Sequence, residues 1–275
     1  MRYKVYHGYK AKFDKDLASV IKSECGSGDF GLALQYMAVP LNVAEAMMLR
    51  RAMAGLGTKE RIIWPIVCGR SNEEITKLRE TYFSLYDRDL GVDLSGELGG
   101  DFERLIFHCL QGSEMELDED YHTDEQAEED CQAFYEAGQG RWGTDEKSLF
   151  KIIANSPPEY LEKVNELYVE KYECTLLNAL KRELGGDVEK GAMQAVGVKL
   201  KFDETIAELI KSTCKGFGTD ELGLTCCVVR YLSVMPSVNE KHAELFEKTV
   251  QDRIQSETGG DYRKLLSSAV NFACE

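Results

Sequence analysis

Three short stretches repeat one set of residue types: "GLGTKE" at 55–60, "RWGTDE" at 141–146 and "GFGTDE" at 216–221. Each is followed by a glutamate at nearly constant distance. Glu97 lies 40 residues after Gly57, Glu183 lies 40 after Gly143, and Glu257 lies 39 after Gly218. A glycine-rich turn after a helix offers outward-facing backbone carbonyls, and the distant glutamate offers a carboxylate. A hard cation such as calcium takes about six to eight oxygens of these kinds. One carboxylate per turn implies weak binding by protein alone, with positions left for other oxygens such as lipid phosphates. The same residues also read as a plain helix joint, with glycine left-handed after one helix, threonine capping the next and an acid in its first turn.

The elements around the turns repeat as well. Thr58, Thr144 and Thr219 are spaced by 86 and 75 residues. After the third-unit turn, "TDEKSLFKIIAN" places Leu149, Ile152 and Ile153 on one helical face. "SPPE" follows, with Ser156 as expected N-cap and Glu159 closing a capping box; "SNEE" (Ser71, Glu74) does the same in the second unit. Each unit then reaches "SGELGGDFERLI" (95–106), "KRELGGDVEKGA" (181–192) or "QSETGGDYRKLL" (255–266), a helix stop followed by a helix start. A fourth copy, "KSECGSGDFGLAL" at 22–34, has no such turn before it. The chain therefore reads as three full helical repeats preceded by the back part of another. "TCCVVRYL" (225–232) has strand-like composition, but its place in the repeat makes it a helix. Residues 113–130 read as an acidic linker entering the first helix of the third unit, and Pro65 is expected to kink the helix after Thr58.

Composition narrows the function classes. A net charge of −15 opposes nucleic acid as a partner and direct adhesion to an anionic membrane. A divalent cation between the two negative surfaces removes the second obstacle. Nine cysteines without a close Cys-x-x-Cys pair point to reduced thiols in a cytoplasmic setting, with Cys226 and Cys227 packed in the core. "GSGDFG" (26–31) follows no strand, so it is no dinucleotide loop. "DEDYHTDEQAEE" (118–129) lacks the sixth-position glycine of an EF-hand. No serine-nucleophile or phosphate-loop motif is present, so nothing supports an enzyme.

With "AMAGLGTKE", "YEAGQGRWGTDE" and "KGFGTDE" each paired with its glutamate, the chain resembles the annexin family over essentially all of its 275 residues. The resemblance implies an all-α array of five-helix repeats forming a curved disc, here three full repeats plus the C-terminal part of a first one. The expected divisions are 1–39, 40–113, 114–198 with the acidic linker, and 199–275. It further implies calcium-dependent binding to acidic phospholipid membranes on the convex face, peripheral to the membrane. The implied calcium ligands are Met53, Gly55 and Gly57 with Glu97; Gly138, Arg141 and Gly143 with Glu183; and Cys214, Gly216 and Gly218 with Glu257. Leu56, Trp142 and Phe217, apolar at the turn tips, are expected to enter the membrane interface, with Arg141 reaching a phosphate. The second reading is a cytoskeletal or scaffold protein of annexin fold acting through protein contacts, as the giardin relatives of annexins do. Departures from the family pattern qualify the sites. Glu24 has no turn to pair with, Lys59 puts a positive charge beside the second site, and the third turn is longer. The absent front of the first repeat implies either an incomplete sequence or an exposed apolar surface.

Overall fold

The computed structural model describes residues 2–55, 57–138, 146–216 and 218–275. Among these residues the chain forms eighteen α-helices, one short 3-10 segment and no strand. Three helices come first: α1 (Arg2–Phe13), α2 (Leu17–Cys25) and α3 (Asp29–Met37). Five follow: α4 (Leu41–Ala52), α5 (Glu60–Val67), α6 (Asn72–Tyr86), α7 (Leu90–Ser95) and α8 (Gly100–Leu110). The next five are α9 (Asp124–Gly138), α10 (Glu146–Asn155), α11 (Pro158–Tyr172), α12 (Leu176–Glu183) and α13 (Gly186–Leu200). The last five are α14 (Phe202–Ser212), α15 (Glu221–Tyr231), α16 (Met235–Phe246), α17 (Val250–Glu257) and α18 (Gly260–Cys274), with a 3-10 turn at Leu232–Val234. The all-α repeat class read from the sequence is the observed one.

Local chemistry explains the boundaries. α6 starts at the expected capping box: the Glu74 N–H donates to Ser71 Oγ at 3.3 Å and the Ser71 N–H to Glu74 Oε2 at 3.2 Å. The matching box at Ser156 does not form. Pro157 occupies the N-cap of α11 instead, and Ser156 closes α10, its N–H donating to the Ile152 carbonyl at 3.1 Å. A box not foreseen, Thr249 with Asp252, opens α17. Pro65 lies within α5, which runs on to Val67 and has 8 residues where α10 has 10 and α15 has 11. The 225–232 stretch is helical as expected through Tyr231, with Cys226 and Cys227 buried. At the three Gly-Gly joints the second glycine repeats a left-handed φ: 61° at Gly100, 63° at Gly186 and 61° at Gly260.

The chain divides into two compact units, residues 1–51 with 203–275, and residues 52–202. In the first unit α3 packs on α15 and α18. The Tyr262 hydroxyl donates to the Glu221 carbonyl at 2.7 Å and contacts Thr225 Oγ1 at 2.9 Å, fixing α18 against α15. Glu45 and Arg230 form a buried ion pair. His242 is wholly buried, with Nδ1 donating to the Lys248 carbonyl at 2.5 Å and Nε2 accepting from Arg253 Nε at 2.9 Å.

In the second unit α13 lies across α5, α8 and α10. Gly191 permits the approach: a Cβ there would sit 2.9 Å from Leu105 Cδ2 and 3.5 Å from the Trp64 Cβ. The expected acidic linker is pinned rather than loose at its start. Glu114 exchanges hydrogen bonds with the Asn72 amide at 2.7 and 2.9 Å, and Ser113 Oγ donates to Asn155 Oδ1 at 2.6 Å. Lys199 Nζ donates to the carbonyls of Ser156 (2.7 Å) and Ile153 (3.1 Å) and pairs with Glu114 at 2.7 Å. The pairing is needed because an ammonium this deeply buried is costly without partners.

Candidate metal sites

Two of the three repeated turns are described, and their backbones agree. Gly55 and Gly57 have φ of 108° and 82°; Gly216 and Gly218 have 105° and 90°. A Cβ built on any of the four meets nothing within 4 Å, so the glycines serve backbone conformation and not space. Each turn is closed by one bond across its base, Lys59 N–H to the Ala52 carbonyl at 3.0 Å and Asp220 N–H to the Thr213 carbonyl at 2.7 Å. Between those closures, the carbonyls of Met53, Gly55 and Gly57, and of Cys214, Gly216 and Gly218, accept no backbone hydrogen bond among the described residues. Carbonyls freed in this way are the donors a hard cation takes.

The threonine brings the glutamate to the turn. Thr58 Oγ1 lies 3.2 Å from the Glu97 carbonyl and 3.1 Å from Glu97 Oε2. In the other turn Thr219 Oγ1 donates to the Glu257 carbonyl at 2.7 Å. The expectation that threonine caps the following helix is thereby corrected. Asp220 is the N-cap of α15, accepting from Gly223 N–H at 3.1 Å. Lys59 occupies the same position before α5, and a lysine has no acceptor to offer, so no side-chain cap bond exists there. Sequence reasoning missed the threonine's role, although its pairing with a glutamate 39 and 38 residues on was a visible signal.

Glu97 is exposed two residues beyond α7, and Glu257 is the half-buried last residue of α17. Cys214 is half-buried, and burial first, with Glu257 nearby second among the raising influences, pushes its thiol up from its ordinary value. In the remaining site, Gly138 ends α9 and Glu183, exposed, ends α12. Arg141, Trp142 and Gly143 lie outside the described residues, as do the turn tips Leu56 and Phe217. Glu24 is exposed near the end of α2. Among the described residues no three His, Cys, Asp or Glu side chains gather into a metal cluster. At the two described turns the groups brought together are backbone carbonyls beside a glutamate, oxygen donors that suit calcium better than a soft metal.

An all-α protein of five-helix repeats with open-carbonyl turns tied to distant glutamates defines the class. A family model described as Annexin matches residues 44–108 and 129–194. Human annexin A13 is 33% identical over 266 residues, covering 96% of this chain and 83% of the relative. Human annexin A7 is 34% identical over 270 residues, covering 98% of this chain, which spans 55% of that relative's length. Among solved structures, a point mutant of annexin A8 with an intact N-terminus superposes with a TM-score of 0.88 at 28% identity, over 98% of this chain and 84% of that one. The chain belongs to the annexin family.

Proposed function

We propose that this protein binds acidic phospholipid membranes through calcium held by turn carbonyls and one glutamate per site. The proposed ligands are Met53, Gly55, Gly57 and Glu97; Gly138, Arg141, Gly143 and Glu183; and Cys214, Gly216, Gly218 and Glu257. The observation that carries the reading is the twice-repeated turn, with open carbonyls and a threonine holding the glutamate alongside. Family membership supports it, because annexins as a class bind phospholipids in a calcium-dependent manner and are generally not enzymes. Calcium bound there supplies positive charge that lipid phosphates complete. The protein's own part is to hold the carbonyls outward and the carboxylate within reach.

The net charge of −15 makes the cation necessary, since the bare chain and an acidic bilayer repel. Attachment is peripheral on this reading. No helix among the described residues is long and apolar enough to cross a membrane. Co-sedimentation with phosphatidylserine-containing vesicles tests the proposal. Binding should appear with calcium, reverse in excess chelator and be absent on neutral phosphatidylcholine vesicles. Sedimentation that persists undiminished in chelator would overturn it and favour the scaffold reading.

A further inference from the structure

α1 carries Arg2, Lys4, Lys10 and Lys12 and no acid, in a chain whose net charge is −15. No residue of this helix is buried. Lys4, Lys10 and Lys12 are exposed, and so are Tyr3, Val5 and Phe13. Arg2 turns inward, its guanidinium donating to the Val229 carbonyl at 3.2 Å. The helix thus presents a basic face set with apolar side chains, which suits an anionic partner.

Position argues against the membrane as that partner. Val229 lies near the end of α15, about 12 Å along the helix axis from its start beside the 214–218 turn. The other end of α1 leads into the start of α2, whose far end carries Glu24, the counterpart of Glu97 in the repeat. On the reading proposed above, a bilayer held at the 214–218 turn meets the end of α15 opposite to Arg2. The chain itself holds a complementary surface. Residues 116–130 contain nine acids and no Lys or Arg. Glu119, Asp120 and Glu129 are exposed, and Leu117 and Tyr121 stand exposed among the acids. Lys163 pairs with Asp124 and Lys171 with Glu128, which leaves the stretch strongly negative.

We propose that α1 of one copy docks on residues 116–130 of a second copy. Lys4, Lys10 and Lys12 meet the carboxylates, and Tyr3, Val5 and Phe13 supply apolar contact to Leu117 and Tyr121. Every copy carries both surfaces, so the pairing closes reciprocally into a dimer or propagates into longer assemblies. Salt screens it, since the Debye length shrinks from about 30 Å at 0.01 M to about 3 Å at 1 M.

The test is sedimentation velocity of the full chain in excess chelator without lipid, so its outcome does not depend on the cation turns. In low salt the unmutated chain should form species of two or more copies as concentration rises, and at about 1 M salt it should be monomeric. A variant carrying Lys4→Glu, Lys10→Glu and Lys12→Glu should stay monomeric in low salt. So should one carrying Glu119→Lys, Asp120→Lys and Glu129→Lys. All six side chains are exposed, and unchanged circular dichroism verifies that both variants fold. Mixing the two variants should restore association, because each supplies the charge that the other has reversed. The proposal is overturned if the unmutated chain is monomeric in low salt, or if the mixture stays monomeric while the unmutated chain associates. Chelator-resistant binding to phosphatidylserine vesicles that the α1 variant loses would also overturn it, in favour of a lipid occupant.

Discussion

Thr219 is a single hydroxyl that joins two segments 38 residues apart, through its 2.7 Å bond to the Glu257 carbonyl. Thr219→Val keeps the shape and removes the donor, so it should lower stability by about 1 kcal/mol. It should also raise the calcium concentration needed for vesicle binding, because Glu257 is no longer held at the turn. Thr219→Ser should restore both; a valine variant with unaltered calcium dependence would show that the hydroxyl positions nothing. Lys59 gives the opposite kind of test. Lys59→Asp should supply the cap that Asp220 already gives α15, stabilising the fold by about 1 kcal/mol in chemical denaturation. The same change removes a positive charge beside Glu97, so half-maximal vesicle binding should need less calcium. An unchanged midpoint in both measurements would refute it. The spacing of the 53–57 turn and Glu97 foretold that the two meet, but whether Thr219 or Asp220 capped α15 was not legible. Thr and Asp are both good caps, and the backbone alone decides which one faces the free N–H groups.

At the scale of elements, periodicity and punctuation disclosed most of the helices. Ser71 and Glu74 work as their spacing implies, because nothing competes for the Ser71 side chain's local bond. Ser156 fails because Pro157 takes the cap and the Ser156 N–H, which the box would need, is given to the Ile152 carbonyl. Four helices also end on a left-handed residue that is not glycine: Asp14, Asp87, Glu173 and Glu247, with φ of 51° to 54°. An acid recurring at one register was the available sign. His242 sits just before the last of these ends and is hydrogen-bonded between the Lys248 carbonyl and Arg253. Burial first, then the Arg253 and Lys211 charges, lowers its value from 6.5, against the Lys248 carbonyl. As pH falls past about 6.5 the unfolded chain takes up this proton before the folded chain does. The unfolded state then binds more protons, so stability is lost with falling pH below that point. The drop in Tm on going from about pH 7 to pH 5.5 should be smaller in His242→Gln than in the unmutated chain. Equal slopes would remove His242 from the acid response.

For the molecule as a whole, the two described turns belong to different compact units, residues 52–202 and residues 1–51 with 203–275. Calcium that binds only the folded state raises stability by mass action. Glu97→Gln and Glu257→Gln should each remove part of the calcium-induced rise in Tm. The double variant should lose close to the combined effect, as sites that share no partner add. A double variant no worse than its weaker parent would contradict two independent sites. Repeat architecture and net charge were readable from the chain alone. The division into units was not, since residues 1–51 join residues 203–275 only through contacts that no sequence period encodes.

The bond from Thr58 to Glu97 also sets an order in time. During synthesis the turn at 52–60 emerges with its carbonyls open but its carboxylate still some 39 residues away along the chain. On the proposed reading a ribosome-bound intermediate has no complete cation site until α7 has been made, and again none in the last repeat until α17. Affinity for a lipid surface is thus withheld from the nascent chain and granted repeat by repeat. A partly made molecule is spared from adhering to membranes before it has folded.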